Sequence, residues 1–235
     1  MNRILFEREE IHDGIVTVSD VRAEHILSVL HGEVGQILKT GEVNGLIGTG
    51  EILSVDSRNV TIRVSHTVES MKPWVDLILA PPRPRVMKRL LPQLATLGVG
   101  RIFLVGAKKV EKDFWGATLL KEEIYRPLLI DGLMQGGTSI LPTIETRRNF
   151  RAFLSDEVDS LWPDAVRLVA HPSVSARACS HDNRPLVVAI GPEGGWTDEE
   201  VTRLEAHGFV HYSLGPRILR TDTATIAILA RLMSI

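Results

Sequence analysis

The runs Val75–Ala80, Ile102–Val105, Val166–Ala170 and Leu186–Ile190 are apolar along nearly their whole length, and Asp76 is the marked exception in the first. A strand with one wet face alternates apolar and polar residues, so runs that do not alternate must be covered on both faces. That is the signature of a parallel sheet sandwiched between helices. A helical pattern, Val86–Leu97 ended by Gly98, separates the first two runs, and a shorter strand pattern, Val210–Leu214, follows the last. Alternation of this kind predicts an α/β domain with a largely parallel sheet. Pro92 falls inside the Val86–Leu97 pattern. It should cost about 3 kcal/mol or force a kink, so that helix is expected to be bent or interrupted.

Upstream the grammar is different. Gly14–Val18, Val34–Lys39, Gly50–Val55 and Asn59–Val68 are rich in β-branched residues and punctuated by Gly, Asp-Ser and Asn, as expected of short strands joined by tight turns. Asp20–Leu30 interrupts them with Val21, Ile26, Val29 and Leu30 at helical spacing behind a Ser19/Asp20 cap. A small, mostly antiparallel barrel with one helix fits residues 1–70, and the α/β domain fits residues 73–235. The boundary falls near Met71-Lys72-Pro73.

The 235 residues are 44% hydrophobic and 24% charged, an ordinary globular composition. No apolar run approaches the roughly 20 residues that cross a bilayer. Acidic residues stand in MNRILFEREE where a signal peptide has its apolar core, so a cytoplasmic protein with no membrane association is expected. Cys179 is the single cysteine, which excludes an intrachain disulfide and CxxC redox chemistry. The histidines show no HExxH-type spacing, no metal is expected, and no GxSxG suggests a serine hydrolase. The net charge is −2, yet Lys72, Arg83, Arg85, Lys88, Arg89, Arg101, Lys108, Lys109 and Lys112 face only Asp76 and Glu111 between residues 72 and 112. Such a run is either a solvated helix face or a phosphate-binding edge, with Arg83, Arg85, Lys88 and Arg89 its densest part.

Two segments carry chemistry. In the first, Leu186–Ile190 runs into Gly191-Pro192-Glu193-Gly194-Gly195, and a helix follows. Thr197 and Glu200 form a capping box for it, and Trp196 with Val201 a hydrophobic staple. A glycine-rich strand-to-helix turn lets backbone N–H groups approach a ligand closely. Neither GxGxxG nor GxxxxGK[ST] is present, which argues against a nicotinamide-dependent oxidoreductase or a P-loop enzyme. In the second, Leu214-Gly-Pro-Arg-Ile-Leu-Arg-Thr-Asp-Thr-Ala224 places Ile218 and Leu219 in a loop between Arg217 and Arg220. Thr221 or Asp222 then caps a final helix rich in Ala, Ile and Leu. The two apolar loop residues either plug the core beneath that helix or offer a flat surface to a ligand.

Together, GPEGG before a capped acidic helix and LGPRILRTDTA beyond it resemble the paired cofactor loops of the uracil-N3 branch of the SPOUT methyltransferases, the family that modifies 16S ribosomal RNA. His25-Ile-Leu-Ser-Val-Leu30 and Gly35 resemble that family's PUA-like RNA-binding barrel. Leu97-Gly98-Val99, Trp115, Gln135 and Leu141-Pro142 match comparable family positions. Departures are His31, Gln93, Thr96 and Thr138, where the family usually has Arg, Lys, Glu and Arg, and Asp222, where it has Glu.

The resemblance implies a trefoil-knotted C-terminal domain, a homodimer with the active site at the subunit interface, and S-adenosylmethionine (SAM) as cofactor. The cofactor-binding set it implies is Ala170, His171, Gly191, Pro192, Glu193, Gly194, Gly195, Leu214, Gly215, Ile218, Leu219, Arg220, Thr223 and Ala224. Ribosomal RNA of the small subunit is the implied partner, met by Arg83, Arg85, Lys88, Arg89 and His25. Uracil N3 carries a proton, so a base must take it or a cation must stabilise the developing negative charge. Arg220 is the candidate for the electrostatic role; Asp222 and Glu193 are candidate bases, or else helix-cap and loop-holding groups. A SPOUT enzyme with another RNA target, and a non-catalytic RNA-binding ribosome-assembly protein, are the alternatives.

Overall fold

The computed structural model describes residues 2–172 and 184–233; Cys179 and His181 lie outside the described residues. Alternating strands build the first sheet from β1 (Ile4–Phe6), β2 (Ile15–Val18), β3 (Ile37–Glu42), β4 (Ile47–Val55) and β5 (Val60–Val68), in the order β1-β3-β4-β5-β2. Every pairing is antiparallel except β1 with β3. Val16, Val18, Leu38, Ile52, Val60 and Ile62 turn inward and close a core around Ile26 of α1 (Val21–Ser28). Asp20 caps α1, its carboxylate accepting from the Arg22 N–H. The strand expected at Val34–Lys39 starts only at Ile37, because Gly35 adopts a left-handed turn (φ 88°). β1 has no sequence signature because its three residues are too few to show a period.

The second sheet contains β6 (Val75–Leu79), β7 (Val99–Val105), β8 (Thr143–Arg147), β9 (Val166–Ala170), β10 (Leu186–Ile190) and β11 (Val210–Tyr212), in the order β11-β9-β10-β6-β7-β8. All of its pairings are parallel. Helices cover both faces: α2 (Pro84–Thr96), α3 (Glu122–Gly136), α4 (Phe150–Phe153), which continues through a π turn into α5 (Asp159–Leu161), α6 (Asp198–Ala206) and α7 (Thr221–Met233). Successive side chains of a strand point to opposite faces. Leu77, Leu79, Val188 and Ile190 accordingly pack with α2, α3 and α7. Ile78, Val187 and Ala189 pack with Phe150, Phe153, Trp162, Val201 and Leu204 on the other side. Asp76 is tolerated in its apolar strand because its carboxylate accepts from the backbone N–H and Nε of Arg101 and from Trp162 Nε1, at 2.8, 2.8 and 2.7 Å.

Helix α2 is not interrupted at Pro92. Met87, Leu90, Leu91, Leu94 and Ala95 around it are all buried. At roughly 1.5–3 kcal/mol for each large side chain, that burial outweighs a proline cost near 3 kcal/mol. The Pro92 carbonyl also accepts from Thr96 Oγ, which reaches the Gly132 carbonyl of α3 as well, each at 2.9 Å. The two sheets are joined where the end of α3 meets the first strands. Met134 O accepts from the N–H groups of Asn2 and Arg3, Asn44 and Ser139 bond backbone to backbone, and Arg126 pairs with Glu7. Among the described residues no helix is long and apolar enough to cross a membrane.

Gly132 sets the closeness of α2 and α3, since a Cβ there would lie 2.0 Å from the Pro92 carbonyl oxygen. Alanine inside a helix ordinarily gains about 0.5–1 kcal/mol over glycine. Here the helices would have to separate, and overpacking of this kind costs about 1–3 kcal/mol. Gly132→Ala is therefore expected to lower the urea midpoint, and an unchanged or raised midpoint would show that the two helices are not locked at this distance.

Candidate active site at the carboxyl edge of the parallel sheet

Because β9, β10 and β11 run parallel and lie side by side, their carboxyl ends open onto one edge. Crevices at this edge are the usual ligand sites of open α/β sheets. Here the edge holds a cavity of about 520 Å³, walled by the segments Ala170–Pro172, Ile190–Trp196 and Tyr212–Leu219 and by the start of α7. Of the cofactor-binding residues expected from the sequence, all line it except Arg220 and Thr223, which border a neighbouring cavity with Asp222, Arg89, Leu90 and Gln93. Trp196, Tyr212, Ser213 and Arg217 also line the main cavity and are not among the residues expected there. The sequence marks Trp196 only as a staple; that it folds back beside the turn has no sequence signal of its own.

The turn after β10 is tight. Gly195 N–H donates to the Pro192 carbonyl at 2.8 Å, and Gly195 sits at φ 69°. A Cβ on Gly191 would lie 3.0 Å from the Trp196 backbone nitrogen, so any larger residue there would crowd the turn. Trp196 stacks on Phe150 at 5.2 Å and shares a buried cluster with Val201, the staple partner. The capping box forms, with Thr197 Oγ accepting from Glu200 N–H and the Glu200 carboxylate accepting from Thr197 N–H. Glu200 also accepts from the Lys108 N–H at 2.7 Å, and Lys109 Nζ donates to the Gly194 carbonyl at 2.7 Å. Two buried nitrogens in the cavity wall, Trp196 Nε1 and His171 Nδ1, have no hydrogen-bond partner among the described residues.

The second loop does not plug the core. Ile218 is 89% exposed and Leu219 37%, so the surface they offer is open. The expected cap is also displaced. Helix α7 already includes Thr221, and the Arg220 carbonyl accepts from Ala224 N–H at 2.7 Å. Asp222 therefore lies inside the first turn, accepting from the Thr223 N–H at 3.0 Å, and is not the cap. Its carboxylate stands between two guanidiniums, Arg89 at 3.4 Å and Arg220 at 3.8 Å. Glu193 lines the main cavity, with one oxygen accepting from the Arg83 N–H at 3.3 Å.

Arg83, Arg85, Lys88 and Arg89 are all exposed at the start of α2, beside these loops. Glu111 and Glu193 raise the Arg83 pKa by favouring its charged form, Glu111 through a direct hydrogen bond. His25 belongs to the first sheet's helix, where its Nε2 is buried without a partner among the described residues. Among the described residues no group of His, Cys, Asp and Glu is arranged to hold a metal.

Residues 69–233 match the model of the RNA methyltransferase domain family. Ribosomal RNA small subunit methyltransferase E of Treponema pallidum is 32% identical, covering 97% of this chain and 88% of its own length. The corresponding enzyme 1 of Borreliella burgdorferi is 27% identical over 97% of this chain and 95% of its own. A methyltransferase of Legionella pneumophila, solved with bound SAM, superposes with a TM-score of 0.75 at 26% identity, covering 99% of this chain and 97% of that one. The Neisseria gonorrhoeae small subunit methyltransferase E shares the fold, with a TM-score of 0.76 at 22% identity and coverage of 100% and 97%. This chain belongs to the ribosomal RNA small subunit methyltransferase E family.

The positions read from the sequence as departures from the family pattern sort by their place in the structure. Thr96 is exposed but bridges α2 and α3 through its hydroxyl, and Thr138 is nearly buried. Gln93 lines the cavity beside Arg220, and His31 sits at φ 50° in the first sheet's domain. Glu200 is only 8% exposed and collects the Lys108 N–H, the Thr197 N–H and the Thr197 hydroxyl. Glu200→Ala strands those donors, and leaving buried donors unpaired costs about 1–3 kcal/mol. The expected outcome in urea unfolding is a loss of that size, exceeding the loss of about 1 kcal/mol from removing the cap hydroxyl with Thr197→Ala. Equal losses would mean that the Lys108 bond contributes nothing.

Proposed function

We propose that the protein transfers a methyl group from SAM to N3 of a uridine in 16S ribosomal RNA of the small subunit. The observation that carries this reading is the cavity itself. Three parallel strand ends and two glycine loops enclose it, two of its lining residues, Trp196 and His171, carry buried nitrogens with no partner among the described residues, and an exposed apolar pair edges it. Those features suit a ligand with both a flat ring and polar edges, and SAM has both. The Ile218–Leu219 surface and the Trp196 side would hold the adenosine part, and backbone N–H groups of the 191–195 turn its polar atoms. When bound, SAM supplies an electrophilic methyl on a sulfonium.

Methyl transfer is an in-line displacement, so positioning of the nucleophile dominates. Arg220, 74% exposed at its side chain and oriented by Asp222, presents a planar fork to the uridine oxygens as N3 loses its proton. Asp222 is engaged by two guanidiniums and serves as their orienting group. Asp222 is held between two guanidiniums while Glu193, among the described residues, accepts only a backbone N–H, which favours Glu193 as the base. Arg83, Arg85, Lys88 and Arg89 meet RNA phosphates, with residues 1–70 acting as a PUA-like barrel that includes His25. Residues 73–235 form the SPOUT domain, whose carboxyl-terminal strands are threaded as a trefoil knot. The near-complete exposure of Ile218 supports a homodimer that covers it. The protein works in the cytoplasm, where its RNA is.

Gly195 gives the sharpest test of the cavity. Its φ of 69° is unfavourable for a β-branched residue, so a valine there distorts the turn that lines the cavity. A Cβ on Gly194 would instead meet the movable Lys109 Cδ at 2.9 Å, so that position is the weaker probe. Calorimetry should give SAM binding near one per chain, lost in Gly195→Val. A variant that binds normally would place the cofactor elsewhere.

Arg220→Ala should fold and bind SAM yet lose about 10²–10³ in single-turnover methylation of small-subunit RNA at saturating SAM. Arg220→Lys should recover little, because an ammonium cannot reproduce the fork. A near-normal rate in Arg220→Ala would remove the residue from the mechanism.

A further inference from the structure

The carboxyl edge continues past the cavity to β7 and β8, and its exit loops there are basic. Lys108 follows β7, Arg148 and Arg151 follow β8, and Arg203 of α6 joins them around a separate cleft of about 500 Å³. Two structural details hold this cleft in shape. Gly106 N–H donates to the Arg147 carbonyl at 3.1 Å, and a Cβ on Gly106 would lie 2.0 Å from the Arg148 carbonyl oxygen, so the two basic loops touch only over glycine. Glu200 fixes the Lys108 backbone at 2.7 Å, tying the β7 loop to the start of α6.

The charge balance in the cleft is positive. Glu200 is nearly buried, its carboxylate bonded to backbone N–H groups and Thr197, while Glu199 is shared between Arg151 at 3.0 Å and Arg203 at 2.9 Å. Lys108 is exposed, and among the described residues its ammonium has no acidic partner. Arg148 is exposed, lies over Trp115 at 5.5 Å from the ring centre, and donates to the Trp115 carbonyl at 3.2 Å. A guanidinium spread over an aromatic ring keeps donors free for an anion and holds them in one plane. The cleft and the main cavity share one wall: Phe150 lines the cleft, Trp196 lines the cavity, and the two rings stack.

We propose that this cleft is a second phosphate-binding track for the RNA substrate. In it, Lys108 and Arg148 hold the sugar–phosphate backbone of nucleotides flanking the one presented to the main cavity. The proposal rests on the reading that the substrate is RNA. It makes the RNA path two-sided, with α2 on one side of the Gly191–Trp196 turn and the β7–β8 loops on the other. A phosphate chain suits the cleft better than a protein partner does, because four cations line it against two carboxylates, one of them nearly buried.

The test compares the wild type with Lys108→Ala/Arg148→Ala and with Lys108→Glu, which leaves the Arg148–Trp115 packing in place. Affinity for a transcript of small-subunit ribosomal RNA is measured across salt concentrations, beside SAM calorimetry and steady-state kinetics. Removing one cation from a phosphate of a single strand lowers the slope of log affinity against log salt by about 0.7. The double variant should therefore show a slope smaller by about 1.4, with a raised KM for RNA, near-constant kcat and unchanged SAM affinity. Lys108→Glu should weaken RNA binding at least as much as the removal of a single cation does. Variants with the wild-type slope and KM, in a wild type that binds SAM and methylates RNA, would overturn the cleft alone. A wild type that binds RNA with this salt response but neither binds SAM nor methylates would instead sink the functional reading and leave the cleft standing.

Discussion

The parallel pairing of Leu186–Ile190 with Val75–Leu79 on one side and Val166–Ala170 on the other is the constraint on which the site depends. This central strand is buried along its length, so its register cannot slip by a residue without moving apolar side chains between two packed layers. Fixed register places the end of β10 beside the end of β9, and the end of β9 beside that of β11. The loops that leave these strands therefore start from set positions. Their glycines then decide how closely the chain can turn over a ligand.

How the two glycine loops differ follows from what backs them. The 191–195 turn leans on Trp196 and, through it, on Phe150, while the Lys109 ammonium holds the Gly194 carbonyl from outside. The 215–220 loop has no such backing among the described residues: Gly215 takes φ 115°, and Ile218 stands almost fully in solvent. One loop is braced from behind by packed rings and a lysine, and the other presents apolar side chains to solvent.

Much of the fold is legible in the sequence because its signals are local. The boundaries of β9 and β10, the capping box at Thr197 and Glu200, and the end of α6 at His207 follow from apolar runs and cap chemistry. The elements that escape such reading lack a local signal. Helix α3 carries Pro127 and Gly132 inside it, each of which argues against a helix when read alone, and its packing against α2 supplies what propensity denies. Strand β8 is polar at the sheet edge, so it shows no buried run. At the site, the loops can be placed from sequence, but the position of Asp222 cannot. Whether an acidic residue caps a helix or lies within its first turn depends on where the helix begins, and boundaries are set by tertiary contacts. The pairing of Asp222 with Arg89, far away along the chain, has no trace in local sequence.

The formal charge of −2 is at odds with an RNA substrate until distance is considered. At about 0.1 M salt, charges separated by more than roughly 10 Å are largely screened. A phosphate docked at the carboxyl edge therefore responds to Arg85, Lys88, Lys108 and Arg148 and hardly to carboxylates elsewhere on the protein. Several acidic side chains near that edge are already committed: Glu111 to Arg83, Asp222 to Arg89, and Glu199 to Arg151 and Arg203. Apart from the half-buried Asp222, those groups are exposed, and an exposed pair stabilises the fold by at most about 1 kcal/mol. Their larger effect is on placement, because an arginine already oriented by a carboxylate has less side-chain freedom left to lose when a phosphate arrives. Local pairing and salt screening together let an acidic protein present a basic edge.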